Sequence, residues 1–353
     1  MRKIISLIVT VPCLAFAVQS EAFESATTSA GGMAEDLRVP ESKILTDYLW
    51  TKGAYGAAKS RMAVVKKSTV ASNFVTAHSS PVVVMPTINT TAIFWGTSWA
   101  ATNTTFISDK IAGLTYFYNS LGVSTYTNTV SEYFPGSVPL AHSFVGYKTD
   151  ALKKSSSSPV AVLTEVCNLI GANNIDPNGY YPVYSDLPRG SANYCAYHSA
   201  GQCYAGGITV QFGFFFNLNN DSGCDPKSPY APASGSTGAQ APLFPPSGSA
   251  LVTQSQGLAA LINVTAHELA ETATDPVYFP RTGSAYWAGY FDLAGNEVGD
   301  KCAWTFGPSN VPGSTAGTVM VGAYDWKLQG EWSNKAYSSQ TGYDSLKGCI
   351  TGS

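Results

Sequence analysis

His267, Glu268 and Glu271 stand in the order HELAE inside an apolar run, Leu258 to Asp275, that holds no Gly or Pro. In a helix, positions four apart share a face, with Cβ atoms about 5–6 Å apart. The spacing lets His267 and Glu271 close on one metal ion while Glu268 stands beside them as a general base. This is the pattern of the HExxH zinc-hydrolase helix with its second His replaced by Glu. Zinc accepts carboxylate oxygen as well as imidazole nitrogen, and a catalytic zinc takes three protein ligands and keeps one position open. Glu297 and Asp300 are the candidates for the remaining ligand, with His198 in reserve between Cys195 and Cys203. The chain holds only four His, so one of them at this spacing to two Glu carries weight. Calcium, which prefers oxygen ligands, is the weaker alternative for the acids.

Each feature has a plainer reading. Glu and Ala are good helix formers, and a His on a polar helix face is usually solvated. The stretch from Asp292 to Glu297 reads as a turn, where Asp, Gly and Asn serve backbone needs. Asp275 before Pro276 reads as a helix stop, because the residue before proline avoids the helical region.

The elements that must position these residues alternate in type. Short β-branched and aromatic runs at 81–85, 92–96, 181–185 and 208–216 read as strands. Helical spacing predicts helices over 103–121 and 159–170, besides the HELAE helix itself. The Pro-, Gly- and Ser-rich stretch 228–250 reads as a long loop inside one domain. The expected fold is α/β (α+β): a mixed sheet with a zincin-like helix in a single disulfide-bonded domain spanning 45–353.

Residues 1–17 read as a secretory signal peptide, with cleavage as late as residue 22 as the alternative, followed by a polar, disordered segment to about residue 44. Cleavage after Ala17 removes Arg2, Lys3 and no acid, taking the net charge from −3 to −5. Charged residues make up only 12% of the chain with no basic stripe, which argues against nucleic acid as a partner. No later segment is long and apolar enough for a membrane span. Of seven cysteines, Cys13 leaves with the leader; the remaining six suggest three disulfides of a secreted protein. Cys195–Cys203 is the expected local pair and Cys224–Cys302 the expected long one. Four sequons, at Asn89, Asn103, Asn220 and Asn263, mark possible glycosylation. Asn263 lies one turn before His267, where a glycan would crowd the metal, so it is expected to stay unmodified. Seven Trp and twenty Tyr could line a saccharide groove, but Trp95, Trp99 and Phe214–Phe216 read better as core.

Four segments in order carry a family resemblance: Ile93 to Trp99; Tyr180 to Ser185 with Tyr194 to His198; Phe212 to Asn217 leading to Cys224; and Ala266 to Pro276. Together they resemble the EXORDIUM / phosphate-induced protein 1 family, in a microbial-type form carrying the HExxE motif. The segment Asp292-x-x-Gly295-x-Glu297-x-Gly299-Asp300-x-Cys302 is similar to that of such relatives. The resemblance implies a secreted protein associated with the cell wall or with extracellular signalling.

The motif and the resemblance lead to two expectations. The first is a secreted, zinc-dependent, peptidase-like hydrolase acting on an extracellular protein or cell-wall substrate. His267, Glu271 and either Glu297 or Asp300 would be its ligands and Glu268 its base. The second is a non-catalytic EXORDIUM-like extracellular protein acting at the cell wall or in signalling.

Overall fold

Three strands of this chain are each buried along seven successive residues, covered on both faces, and they set the architecture. The computed structural model describes residues 45–54, 73–226, 242–243, 252–278, 285–308 and 318–352. The expected signal peptide, and all of the expected long loop apart from two residues, lie outside them.

The main sheet has six strands: β1 (Leu45–Trp50), β2 (Thr87–Trp95), β3 (Ala141–Asp150), β4 (Gly179–Pro188), β5 (Tyr194–Gln202) and β6 (Thr209–Asn217). Their order across the sheet is β1-β5-β6-β4-β2-β3. β2 runs parallel to β3 and β4, and β4 runs parallel to β6. β5 is antiparallel to both its neighbours, β6 and β1. Parallel neighbours need long crossovers, and helices α1 (Lys110–Leu121) and α2 (Pro159–Ile170) lie in those connections. β6 reads TVQFGFFFN with seven successive buried residues, the continuous pattern of a strand covered on both faces. The third helix, α3 (Gln256–Thr274), carries HELAE. The mixed α/β class expected from the sequence is the one observed.

Strand pleating assigns the faces, since successive side chains alternate. On β5, the Tyr197 hydroxyl reaches the Ser157 carbonyl at 3.1 Å, just before α2. The next residue, His198, points the other way, onto α3, with Nδ1 3.3 Å from Glu268 Oε2. Helix α3 therefore covers one face and α2 the other.

Every residue of α3 is buried. Its start is capped by Ser255, whose hydroxyl accepts the Leu258 N–H at 3.1 Å and donates to Asp109 at 2.6 Å. Its end falls at Thr274, before Asp275-Pro276, as the pre-proline restriction requires. The Tyr184 hydroxyl, 2.8 Å from Tyr118 and 2.9 Å from Thr265, ties the helix to β4 and α1. Leu258, Leu261, Ile262 and Leu269 are at most 2% exposed, each contributing about 1.5–3 kcal/mol. That apolar burial seats a helix whose ionisable groups cost several kcal/mol each to desolvate. His267 is thus not a solvated surface residue.

Several expectations are corrected. The segment 81–85 is not a strand; it makes single backbone bonds, Val83 to Ala288 and Met85 to Ala273, between Pro81 and Pro86, which have no N–H for a ladder. The expected helix over 103–121 is broken at Ser108, with φ 48°, into one turn, Thr104–Ile107, and α1. The disulfides are Cys167–Cys203, Cys195–Cys224 and Cys302–Cys349. Cys195 and Cys203 cannot pair, because β5 runs extended from Tyr194 to Gln202. At roughly 3.3 Å per residue the strand holds them far beyond the ~7 Å Cα limit of a disulfide. Cys302 takes Cys349 instead of Cys224. Trp95, Trp99 and Phe214–Phe216 are core. Among the described residues no helix is long and apolar enough to cross a membrane, and three disulfides are the cysteine usage of an extracellular protein.

Candidate metal centre

Helix α3 presents His267 and Glu271 one turn apart, with Nε2 of the first 3.0 Å from Oε2 of the second. From the facing strand, His198 Nδ1 comes within 3.3 Å of Glu268 Oε2 and 3.5 Å of Glu271 Oε2. Glu297 enters from the segment after the Asp292 turn, its Oε2 3.7 Å from His198 Nε2. The Asp300 N–H donates to Glu271 Oε1 at 3.0 Å. Two triads result, His198–Glu271–Glu297 and His267–Glu271–Asp300, each with its ligand atoms within 4.8 Å of one another.

The approach of the segment 297–300 depends on Gly299. A Cβ there would lie 2.6 Å from His267 Nδ1 and 2.8 Å from Glu271 Oε1, closer than real Cβ contacts. Gln329 secures the other side. Its backbone N–H donates to Asn263 Oδ1 at 2.9 Å, and its side-chain amide lies 2.7 Å from His267 Nδ1. The amide oxygen also accepts the Trp304 N–H at 3.2 Å. This fixes the imidazole plane and turns Nε2 toward the carboxylates. Trp287 packs edge-on against His198 at 4.9 Å between ring centroids.

The electrostatics are those of a dry, acid-rich cluster. Burial opposes charge on both His, but contacts with Glu268 and Glu271 outweigh it on His198, and Glu271 outweighs it on His267; each is raised to about 10. Burial also works against Glu271, yet His267 and His198 bring it down to about 2. Burial raises Glu268 to about 7 against the opposing pull of the two His. Glu297 and Asp300 stand well above the usual carboxylate range, chiefly from burial and then from Glu271. Asp47, Asp275 and Glu331 are raised too, each first by burial.

Among the described residues, no hydrogen bond reaches Nε2 of His198, Nε2 of His267, Oε1 of Glu268 or either carboxylate oxygen of Glu297. Their neighbours are ionic instead, His267 Nε2 against Glu271 Oε2 and His198 Nε2 against Glu297 Oε2, so five ligand-type atoms converge without an aligned hydrogen bond. His267 Nε2 and Glu271 Oε2 stand 3.0 Å apart as an ion pair. This buried His/Glu cluster can hold a metal ion.

The residues expected from sequence meet here: His267, Glu268, Glu271, Glu297 and Asp300, with the reserve His198 in a facing position. Asp292 stays outside, accepting from Asn296 and, at 2.9 Å, from Lys301, as the turn reading has it. Asp275 accepts the Gly289 N–H at 2.6 Å and borders Glu297. Sequence reasoning missed Asp47, directly opposite His198 in the β1–β5 register, and also Gln329 and Glu331. No local pattern marks these three. Asn263 is fully buried.

Compared with family models, with curated proteins and with solved structures, the chain matches none.

Proposed function

We propose that this protein is a secreted, metal-dependent hydrolase of peptidase-like type, with zinc as its metal. The observation that carries the reading is the convergence of orphaned ligand atoms from a strand, a helix and a loop beside Glu268. Imidazole with carboxylate suits zinc; two imidazoles make calcium, which seeks all-oxygen sites, the poorer fit. A zinc ion, when bound, acidifies a water and polarises a carbonyl.

The chain's own residues do the rest. His198 Nδ1 holds Glu268 Oε2 at 3.3 Å, which leaves Oε1 to take a proton. A general base must lie within hydrogen-bond reach of the proton that it takes, and Glu268 is the acid next to His267 on the ligand-bearing helix. The near-complete burial of His198, Glu268, Glu271 and Glu297 keeps the dielectric low, so that each charge acts strongly on its neighbours. The likeness to the EXORDIUM / phosphate-induced protein 1 family supports an extracellular substrate, either protein or cell wall.

The test is digestion of a peptide library by the mature protein, zinc-loaded and chelated, with metal content measured in parallel. Cleavage by the zinc-loaded form that chelation abolishes is the expected result. A folded, zinc-containing protein that cleaves nothing overturns the hydrolase reading and favours a non-catalytic role.

A further inference from the structure

The cluster holds more ligands than one ion uses. A catalytic zinc takes three protein ligands, whereas His198, His267, Glu271, Glu297 and Asp300 form two complete triads that share only Glu271. We propose that the centre is dinuclear: Glu271 bridges two divalent cations, one held also by His198 and Glu297, the other by His267 and Asp300. The proposal rests on the reading above that this cluster binds metal at all.

Three observations favour two ions over one. First, Glu271 is placed as a bridge. Its Oε2 is flanked by His267 Nε2 at 3.0 Å and by His198 Nδ1 at 3.5 Å. Its Oε1 faces the Asp300 segment, accepting that residue's N–H at 3.0 Å. A carboxylate contacted from both sides in this way suits ions about 3.5–4 Å apart, the spacing of two-metal sites.

Second, one ion cannot satisfy the orphaned atoms. An ion in the His198 triad leaves His267 Nε2 with no aligned hydrogen bond; an ion in the His267 triad leaves both Glu297 oxygens and His198 Nε2 with none. These residues are entirely buried, so the cost of leaving them unsatisfied is not relieved by water.

Third, carboxyl groups are crowded here. Asp47, Glu268, Glu271, Asp275, Glu297, Asp300 and Glu331 interact with one another or with the two His in one dry volume. The two triads alone draw three of these carboxyl groups, Glu271, Glu297 and Asp300, into ligand positions, more than one ion with a His needs.

The experiment is metal stoichiometry of the mature protein, as secreted and after loading with Mn²⁺ and dialysis. It is read by elemental analysis and by electron paramagnetic resonance. The expected result is two ions per chain with an exchange-coupled Mn²⁺ spectrum. His198→Ala and His267→Ala should each halve the content and abolish the coupling, while Glu271→Gln should lose both ions. Circular dichroism of the metal-free variants separates lost ligation from lost fold. If a variant does not fold, wild-type stoichiometry and spectrum decide alone. One ion per chain with an uncoupled spectrum overturns the dinuclear centre and leaves a mononuclear hydrolase standing. No bound metal overturns both.

Discussion

His198 Nδ1 stands 3.3 Å from Glu268 Oε2, across a sequence separation of 70 residues. One group belongs to the antiparallel strand of an otherwise parallel sheet, the other to the helix beneath it. This contact turns a five-residue helical pattern into a three-dimensional site, and it sets what Glu268 can do. Oε2 is engaged and Oε1 is not.

Glu268→Gln tests that division of labour. The amide keeps the shape and the His198 contact but cannot accept a proton. We expect metal content unchanged and hydrolysis reduced by about 10²–10⁴-fold, the usual contribution of general-base assistance. Assaying both on one preparation checks it; full activity in a metal-replete variant removes Glu268 from the role.

Gln329 offers a test of support rather than ligation. Its amide braces His267 at Nδ1 and is itself held by Trp304 and Gly299. Groups that orient a ligating His typically contribute 10–100-fold in metal affinity. Gln329→Leu should therefore weaken metal binding by about that factor, and, because it strands the Trp304 N–H and the Gly299 carbonyl, it should also lower the melting temperature of the metal-free protein. Competition against a chromophoric chelator measures the affinity.

Glu165 gives a pH prediction away from the centre. Burial, then a hydrogen bond with Asp150, raises its carboxyl from 4.5 to about 7, with Lys153 opposing. The folded value exceeds the unfolded one, so its contribution to stability is complete below pH 4.5 and is lost as pH rises through 7. Glu165→Gln removes that dependence. The variant should melt higher than wild type at pH 8, and the gain should vanish by pH 4.5. Thermal melts across this range check it; a gain independent of pH rules the account out.

Asn263 should carry no glycan. Its side chain is fully buried and accepts the Gln329 N–H, so a saccharide there is incompatible with the fold. Asn220, exposed with φ 60°, is the accessible contrast. Glycopeptide mass spectrometry of secreted protein distinguishes them, and a glycan at Asn263 in folded material contradicts this packing.

What the sequence made legible is local. Helix α2 falls on the expected residues 159–170 because its apolar spacing is regular and Pro159 opens it. The HELAE helix ends where Asp275-Pro276 requires. Strand β5 escaped notice because small residues, Ala196, Ser199, Ala200 and Gly201, are buried on both its faces, which erases the alternation that marks a strand. His198 was for that reason a reserve candidate, and Asp47 none at all: both reach the site only through register with distant strands. The cysteines failed likewise. Short separation suggested Cys195–Cys203, but an extended strand between them sets the true distance.

The Cys302–Cys349 bridge has a consequence in time. Asp300 and Cys302 share one short helical turn, and Cys349 lies on a strand paired with Glu331 and Trp332. The loop that delivers Glu297 and Asp300 is thus clamped by a segment synthesised after every proposed metal donor. The clamp closes by oxidation, which the cytosol disfavours. On the proposed reading, the metal centre is completed only after the chain has left the cytosol for an oxidising compartment.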